Sequence, residues 1–319
     1  MIPIPDPNAS PSSAVELRGR RWLGWLGVAV ALVALGYYLV ALRAQAATLQ
    51  QIVWGRSAIA WLLLCIGIYP LTYLAGALIW CLILRAVGER LELRRAAGIC
   101  AVSQFGKYLP GNVAHHVGRV ALARREGLSV DHIVVSLLFE TANVLLAGTL
   151  GAGLLLMNES AAVSVPSGSV SILGIGVAVV LVVCAVLVML WRRYRQGQPQ
   201  GTAVDLRWLP VCFGLQCGAF VIHGAIVVLL VRGVLGIPQG SVAVLTGAFA
   251  LAWVAGFVTP GAPAGVGIRE AVISLGLAPL LGTGGAVAVA GLLRLVSVFG
   301  DLATFGVGLV LERANRRDR

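Results

Sequence analysis

Gly106-Lys107-Tyr108-Leu109-Pro110-Gly111-Asn112-Val113-Ala114-His115-His116-Val117-Gly118-Arg119 has a counterpart 150 residues on: Thr259-Pro260-Gly261-Ala262-Pro263-Ala264-Gly265-Val266-Gly267-Ile268-Arg269-Glu270. In each stretch a Pro-Gly pair is followed, after seven residues, by an arginine. Each interrupts an apolar run and puts a cation where hydrocarbon is expected. Matching Gly/Pro breaks in two halves of a membrane chain mark a substrate site built from discontinuous helices. Gly106, Pro110, Gly111, Pro260, Gly261 and Pro263 are the expected hinges, because they end helices and permit turns.

The surrounding composition agrees. Of 319 residues, 59% are hydrophobic and 12% charged, and mean hydropathy is +0.92. This excludes a soluble domain and indicates a polytopic helical membrane protein. The runs are continuous rather than alternating, which excludes a β-barrel. A net charge of +11 would suit nucleic acid, but the arginines cluster at the ends of apolar runs, so no nucleic-acid partner is expected. Lys107 is the only lysine, beside 23 arginines. Six cysteines lie in or near apolar runs without C-x-x-C pairing, as small buried hydrophobes do.

Six segments are long enough to cross a bilayer core of ~30 Å: 22–43, 57–85, 133–157, 170–191, 209–231 and 285–311. Two more, 96–125 and 241–281, are apolar but broken. Shifting the first half by 150 lays each span on a span and the broken segment on the broken segment. Each half is then three crossings plus a re-entrant helix–break–helix hairpin. Three is odd, so the second half is inverted. The expected fold class is an all-α membrane protein with an inverted-topology repeat. Its parts are a disordered cytoplasmic tail (1–21), a first repeat (22–157), a second (158–312) and a basic cytoplasmic tail (313–319). With both termini inside, 17 arginines fall on the cytoplasmic side and 3 outside, leaving four cations in the membrane zone; this satisfies the positive-inside rule for the cytoplasmic (inner) membrane.

The first break frees the N–H groups of a new helix near Asn112, a natural anion site. Lys107, His115 and His116 flank it, and Arg119 follows two turns along. A guanidinium fork suits phosphate, although Arg119 pairing with a carboxylate is an alternative. Arg269 repeats that role beside Glu270, which in turn would neutralise it. Two polar stripes follow: Ser136, Glu140 and Asn143 at i, i+4, i+7, and Arg294, Ser297, Asp301 and Thr304 at i, i+3, i+7, i+10. Intramembrane charges cost ~2.5–3.5 kcal/mol each, so they face a partner or a cavity. Glu140, Asn143, Glu270, Arg294 and Asp301 are therefore read as coupling or gating residues. Glu140 pairs with Arg294 across the repeats, either exchanging partners or as a fixed bridge. Gln216 and His223 extend the lining or join helices. His115-His116 lacks a third ligand, so no metal and no cofactor is expected. No nucleophile elbow, Walker loop or HExxH motif occurs.

The two quoted stretches resemble those of the lysylphosphatidylglycerol synthase transmembrane-region family, the flippase-like membrane halves of aminoacyl-phospholipid synthases. The likeness covers roughly residues 20–312. It implies lipid translocation, with Lys107, Arg119, Arg269 and Glu140 as functional positions. The chain ends at Arg319, just past the last span, so lipid aminoacylation by this chain is not expected. The expected substrate is an anionic, phosphate-bearing membrane lipid, either an aminoacyl-phospholipid or a polyprenyl-phosphate-linked sugar. A lipid synthase or glycosyltransferase is the expected partner; the sequence sets no oligomeric state. Two rival readings are a polyprenyl-linked glycosyl transferase or its membrane subunit, for which Glu159 and sparse outer loops offer little, and a small-anion transporter.

Overall fold

The structure, a computed structural model, describes residues 55–108, 114–157, 207–259 and 262–317, with 36, 39, 40, 43 and 205 besides. The expected spans 22–43, apart from four helical positions, and 170–191 lie outside the described residues, as do Pro110, Gly111, Asn112, Pro260 and Gly261.

Among the described residues every regular element is helical. In chain order they are α1 (Arg56–Ile68), α2 (Pro70–Ala86), α3 (Leu93–Ser103), a 3-10 turn (Gln104–Tyr108), α4 (Ala114–Arg124), α5 (Val130–Met157), α6 (Trp208–Leu229) with a π-helical end (Leu230–Val234), α7 (Val242–Val258), a 3-10 turn (Pro263–Gly265) and α8 (Ile268–Arg317). Pro70 sits at the first turn of α2, where its missing N–H costs nothing, so α1 and α2 run on as one apolar stretch, Arg56–Ala86. Ser129 and Ser241 cap α5 and α7 by accepting the N–H of His132 and Val244, as residues at the N-cap do.

Among the described residues, four apolar stretches are long enough to cross a membrane: Arg56–Ala86, Val130–Leu155, Trp208–Val234 and Pro263–Asn315. The protein is a multi-pass membrane protein. The last stretch would measure ~80 Å as one helix, far more than a bilayer core. It is divided at Gly282, whose φ of 72° and ψ of 162° belong to glycine's private region of backbone space. Residues 268–281 are then too short to cross, and the remainder crosses. The helix was expected to stop at 311; it continues to Arg317 because Glu312 and buried Asn315 pack against Gly98 of α3. α3 and α4 are 11 residues each, about 17 Å, and also fall short of a full crossing.

Packing joins the sequence halves crosswise. α3 lies on α8, α7 lies on α5, and the two 3-10 turns touch. One apolar core is built around Trp80, Ile99 and Ile133, another around Val227, Leu245 and Leu277. Gly106 is needed where the first turn meets α4: a Cβ there would stand 2.7 Å from the His115 nitrogen.

Candidate functional site

A cavity of about 170 Å³ lies where the two 3-10 turns meet α2, α5, α6 and α7. Lys107, Arg119 and Arg269 all line it, together with His115, His116 and His223. The lining cations foreseen from the two quoted stretches are thus brought to one chamber. Gln216 and His223 line it as well.

The cations differ in what holds them. Lys107 Nζ lies 2.7 Å from Asp301 Oδ2 and donates to Tyr73 Oη at 2.7 Å. Tyr73 and Tyr108 each donate to Asp301, at 2.6 and 2.5 Å. Asp301 is therefore fully engaged in anchoring Lys107. Arg119, 2% exposed, donates to Glu140 and lies over the Trp80 ring at 5.1 Å. Trp80 is fixed by its own N–H donated to Ser136 at 2.9 Å. So α2 and α5 together set the Arg119 guanidinium in place.

Arg269 has no carboxylate. Among the described residues it makes no hydrogen bond or ion pair, and its Nε is buried without a partner. Its guanidinium lies over Trp253 at 5.4 Å. Its stem runs in a slot between glycines: a Cβ on Gly256 would stand 2.6 Å from Arg269 Cγ, and one on Gly265 would stand 2.8 Å from its Nε. Ala264, held at φ 50° inside the Pro263–Gly265 turn, forms the adjoining wall. A half-buried arginine whose Nε is enclosed without a partner carries a desolvation cost, and an anion entering the cavity would offset that cost.

Two expected pairings are corrected. Glu140 does not meet Arg294: it binds Arg119, while Arg294 Nε is ion-paired with Glu270 Oε1 at 2.5 Å. Glu270 does not neutralise its neighbour Arg269, because successive helix positions point ~100° apart. Instead Glu270 faces Arg294 and accepts the Gly267 N–H at 2.7 Å. Asn143 donates to the Cys212 carbonyl at 3.1 Å, which joins α5 to α6. Ser297 and Thr304 bond back to their own helix. The His115 and His116 rings, on adjacent positions, nevertheless come together at 3.8 Å in the first turn of α4. No group of three metal-ligating side chains occurs among the described residues.

Sequence reasoning missed Tyr73, Tyr108, Trp80 and Trp253. Tyr108 stands beside Lys107 in the chain, and Tyr69 and Tyr73 repeat at i, i+4, a spacing that puts both on one face. The tryptophans carried no such signal, since an aromatic in a membrane span is usually packing.

No curated protein matches the chain significantly. The sequence profile of the Lysylphosphatidylglycerol synthase TM region matches residues 21–303, and with nearly the whole membrane portion covered, the chain belongs to that family.

Proposed function

We propose that this protein is a flippase: it moves an anionic, phosphate-bearing lipid across the cytoplasmic membrane through the cavity between the two hairpins. The observation that carries the reading is Arg269, a half-buried arginine with a buried, unpartnered Nε and no salt bridge among the described residues, facing a chamber that also holds Lys107 and Arg119. A phosphate cannot cross hydrocarbon unaided, and a preformed cationic chamber replaces its hydration. His115 and His116, at the start of α4, add polar lining. The tails stay in the bilayer while the head group passes.

In this reading the chain is an inverted repeat, with each hairpin re-entrant and the two breaks near the midplane. The crosswise packing supports it: under the shift of 150, the α3–α8 contact and the α7–α5 contact are equivalent. Half-helices too short to cross support it too. Glu140, Glu270, Arg294 and Asp301 hold the cavity walls together, and changes in their pairing would accompany opening to either side.

The test is transbilayer movement of fluorescent anionic and zwitterionic lipids in proteoliposomes, wild type beside Arg269→Gln and Arg119→Ala. Movement of anionic lipid above empty vesicles, lost in Arg269→Gln, is expected. No movement, or undiminished movement in that variant, would refute the reading.

A further inference from the structure

Resting on the translocation reading, we infer that the head group accepted here is a phosphate ester whose other groups are hydroxyls, as in a sugar or polyol, and that an aminoacyl head group with a free ammonium is excluded. Three cations line the cavity, and Glu140 is the one carboxylate among the described residues that does. Glu140 is already bound to Arg119. The nearest others, Asp301 and Glu270, are taken by Lys107 with two tyrosines and by Arg294 with the Gly267 amide. An incoming ammonium would meet Arg269, which has no salt bridge among the described residues, and carboxylates that are already paired, and juxtaposed like charges select against a partner.

Two of the aromatic rings that line the cavity already carry a protein cation: Arg269 lies over Trp253 and Lys107 over Tyr73. The Trp253 ring is also stacked with Phe257 at 5.1 Å and 10°. At these two rings the cation–π position is occupied by the protein itself.

Neutral hydroxyls are provided for. Gln104 and Gln216 line the cavity, and the side chain of neither makes a hydrogen bond among the described residues. A carboxamide donates and accepts at once, which suits a hydroxyl and gives an ammonium one acceptor without a charge. Thr72 and Thr141 spend their protons on the Tyr69 and Leu137 carbonyls and keep oxygen lone pairs for hydroxyl donors. The edges of Trp253 and Phe257 and the ring of Phe220 supply apolar surface of the kind the C–H face of a sugar covers.

The experiment is equilibrium binding in nanodiscs by competition among defined lipids. They are phosphatidylglycerol, phosphatidylinositol, a polyprenyl-phosphoryl hexose, alanyl-phosphatidylglycerol and N-acetyl-alanyl-phosphatidylglycerol. The hydroxyl head groups should bind at least about tenfold more tightly than the alanyl ester, and acetylation, which removes the ammonium, should restore most of the loss. Which of the three hydroxyl lipids binds best separates the phospholipid from the polyprenyl source. Gln216→Glu, which adds a free carboxylate, should narrow or reverse the preference. Equal or tighter binding of the alanyl ester overturns the inference, and so does failure of acetylation to restore binding. Lipid bound with this preference but never moved overturns translocation and leaves the inference standing. Absence of binding by every lipid overturns both.

Discussion

Gly256→Ala should disable the anion site without unfolding the protein. The added methyl would stand 2.6 Å from Arg269 Cγ and 3.0 Å from its Nε. Ordinary van der Waals contact begins near 3.4 Å, so the stem must retreat by about 0.8 Å. Gly265 closes the other side of the slot at 2.8 Å, so the retreat carries the guanidinium off Trp253 and away from the cavity. A hydrogen bond to a charged group contributes ~1.5–3 kcal/mol, and misplacing Arg269 should weaken anionic-lipid binding about 10- to 150-fold. Fold stability should change little, because alanine favours a helix over glycine by ~1 kcal/mol and offsets part of an overpacking strain of ~1–3 kcal/mol. Gly276→Ala is the control: it sits on an exposed position of α8 with nothing within 4 Å of the new methyl, and should bind as wild type does. The assay is lipid binding in nanodiscs alongside thermal unfolding. A folded Gly256→Ala protein that binds within about twofold of wild type would refute the assignment of Arg269 as the anion's partner.

Arg119→Met leaves Glu140 uncompensated and should cost ~3–5 kcal/mol, whereas pairing it with Glu140→Leu should regain most of that; thermal unfolding of singles and double decides, and a double no better than the single refutes the pair. Tyr73→Phe and Tyr108→Phe each strip one donor from Asp301 and should each cost ~1–3 kcal/mol, with effects that vanish in an Asp301→Asn background; full persistence there would show that the tyrosines act elsewhere. At the membrane edge, burial alone would raise the Glu89 carboxyl, but the His132 ring at 2.8 Å and the Ser129 amide at 3.2 Å outweigh it and hold it below the ordinary carboxylate range. A depressed carboxyl contributes stability above its unfolded value that is lost as pH falls through the folded value. Unfolding temperature should therefore drop on acidification below about pH 4.5, and Glu89→Gln should remove that component; an unchanged acid profile in the variant would count against it.

The described spans and the breaks in two apolar stretches were legible because Gly and Pro punctuate runs that are otherwise uniformly apolar. Residues 57–85 and 209–231 reappear within a turn or so as Arg56–Ala86 and Trp208–Val234. The broken character of 96–125 and 241–281 reappears as helix, 3-10 turn and helix. Pairings were not legible. A stripe of polar residues says which face of a helix is wet, not which neighbour that face meets. Tyr73 and Asp301 are 228 positions apart, and their meeting depends on α8 crossing α2 and α3. Glu140 and Arg294 looked like natural partners, yet each has a nearer mate within its own half, 21 and 24 positions away in the chain. Local helix geometry won over the long-range guess.

The proposed repeat also accounts for why one arginine is open and its counterpart is not. Under the shift of 150, Arg119 corresponds to Arg269, but Glu140 corresponds to Ala290. Ala290 is buried and lines a small cavity of about 50 Å³ together with Arg269, Glu270 and Arg294, so the position that would carry the counter-ion carries a methyl. The second half instead places its carboxylate at Glu270, opposite Arg294, whose counterpart in the first half is Val144. Asp301, whose counterpart is Gly151, serves Lys107 of the other half. On the proposed repeat, the two halves differ in where they place their carboxylates. The first half closes its arginine with Glu140 and borrows Asp301 for its lysine. The second half leaves Arg269 uncovered. A symmetric distribution would give either no free cation or two, and either would fail: a neutral cavity has no hold on a phosphate, and a doubly charged one holds it too firmly to release. In the proposed reading, one uncovered guanidinium, flanked by two cations that are neutralised but near, attracts the anion and still lets it leave.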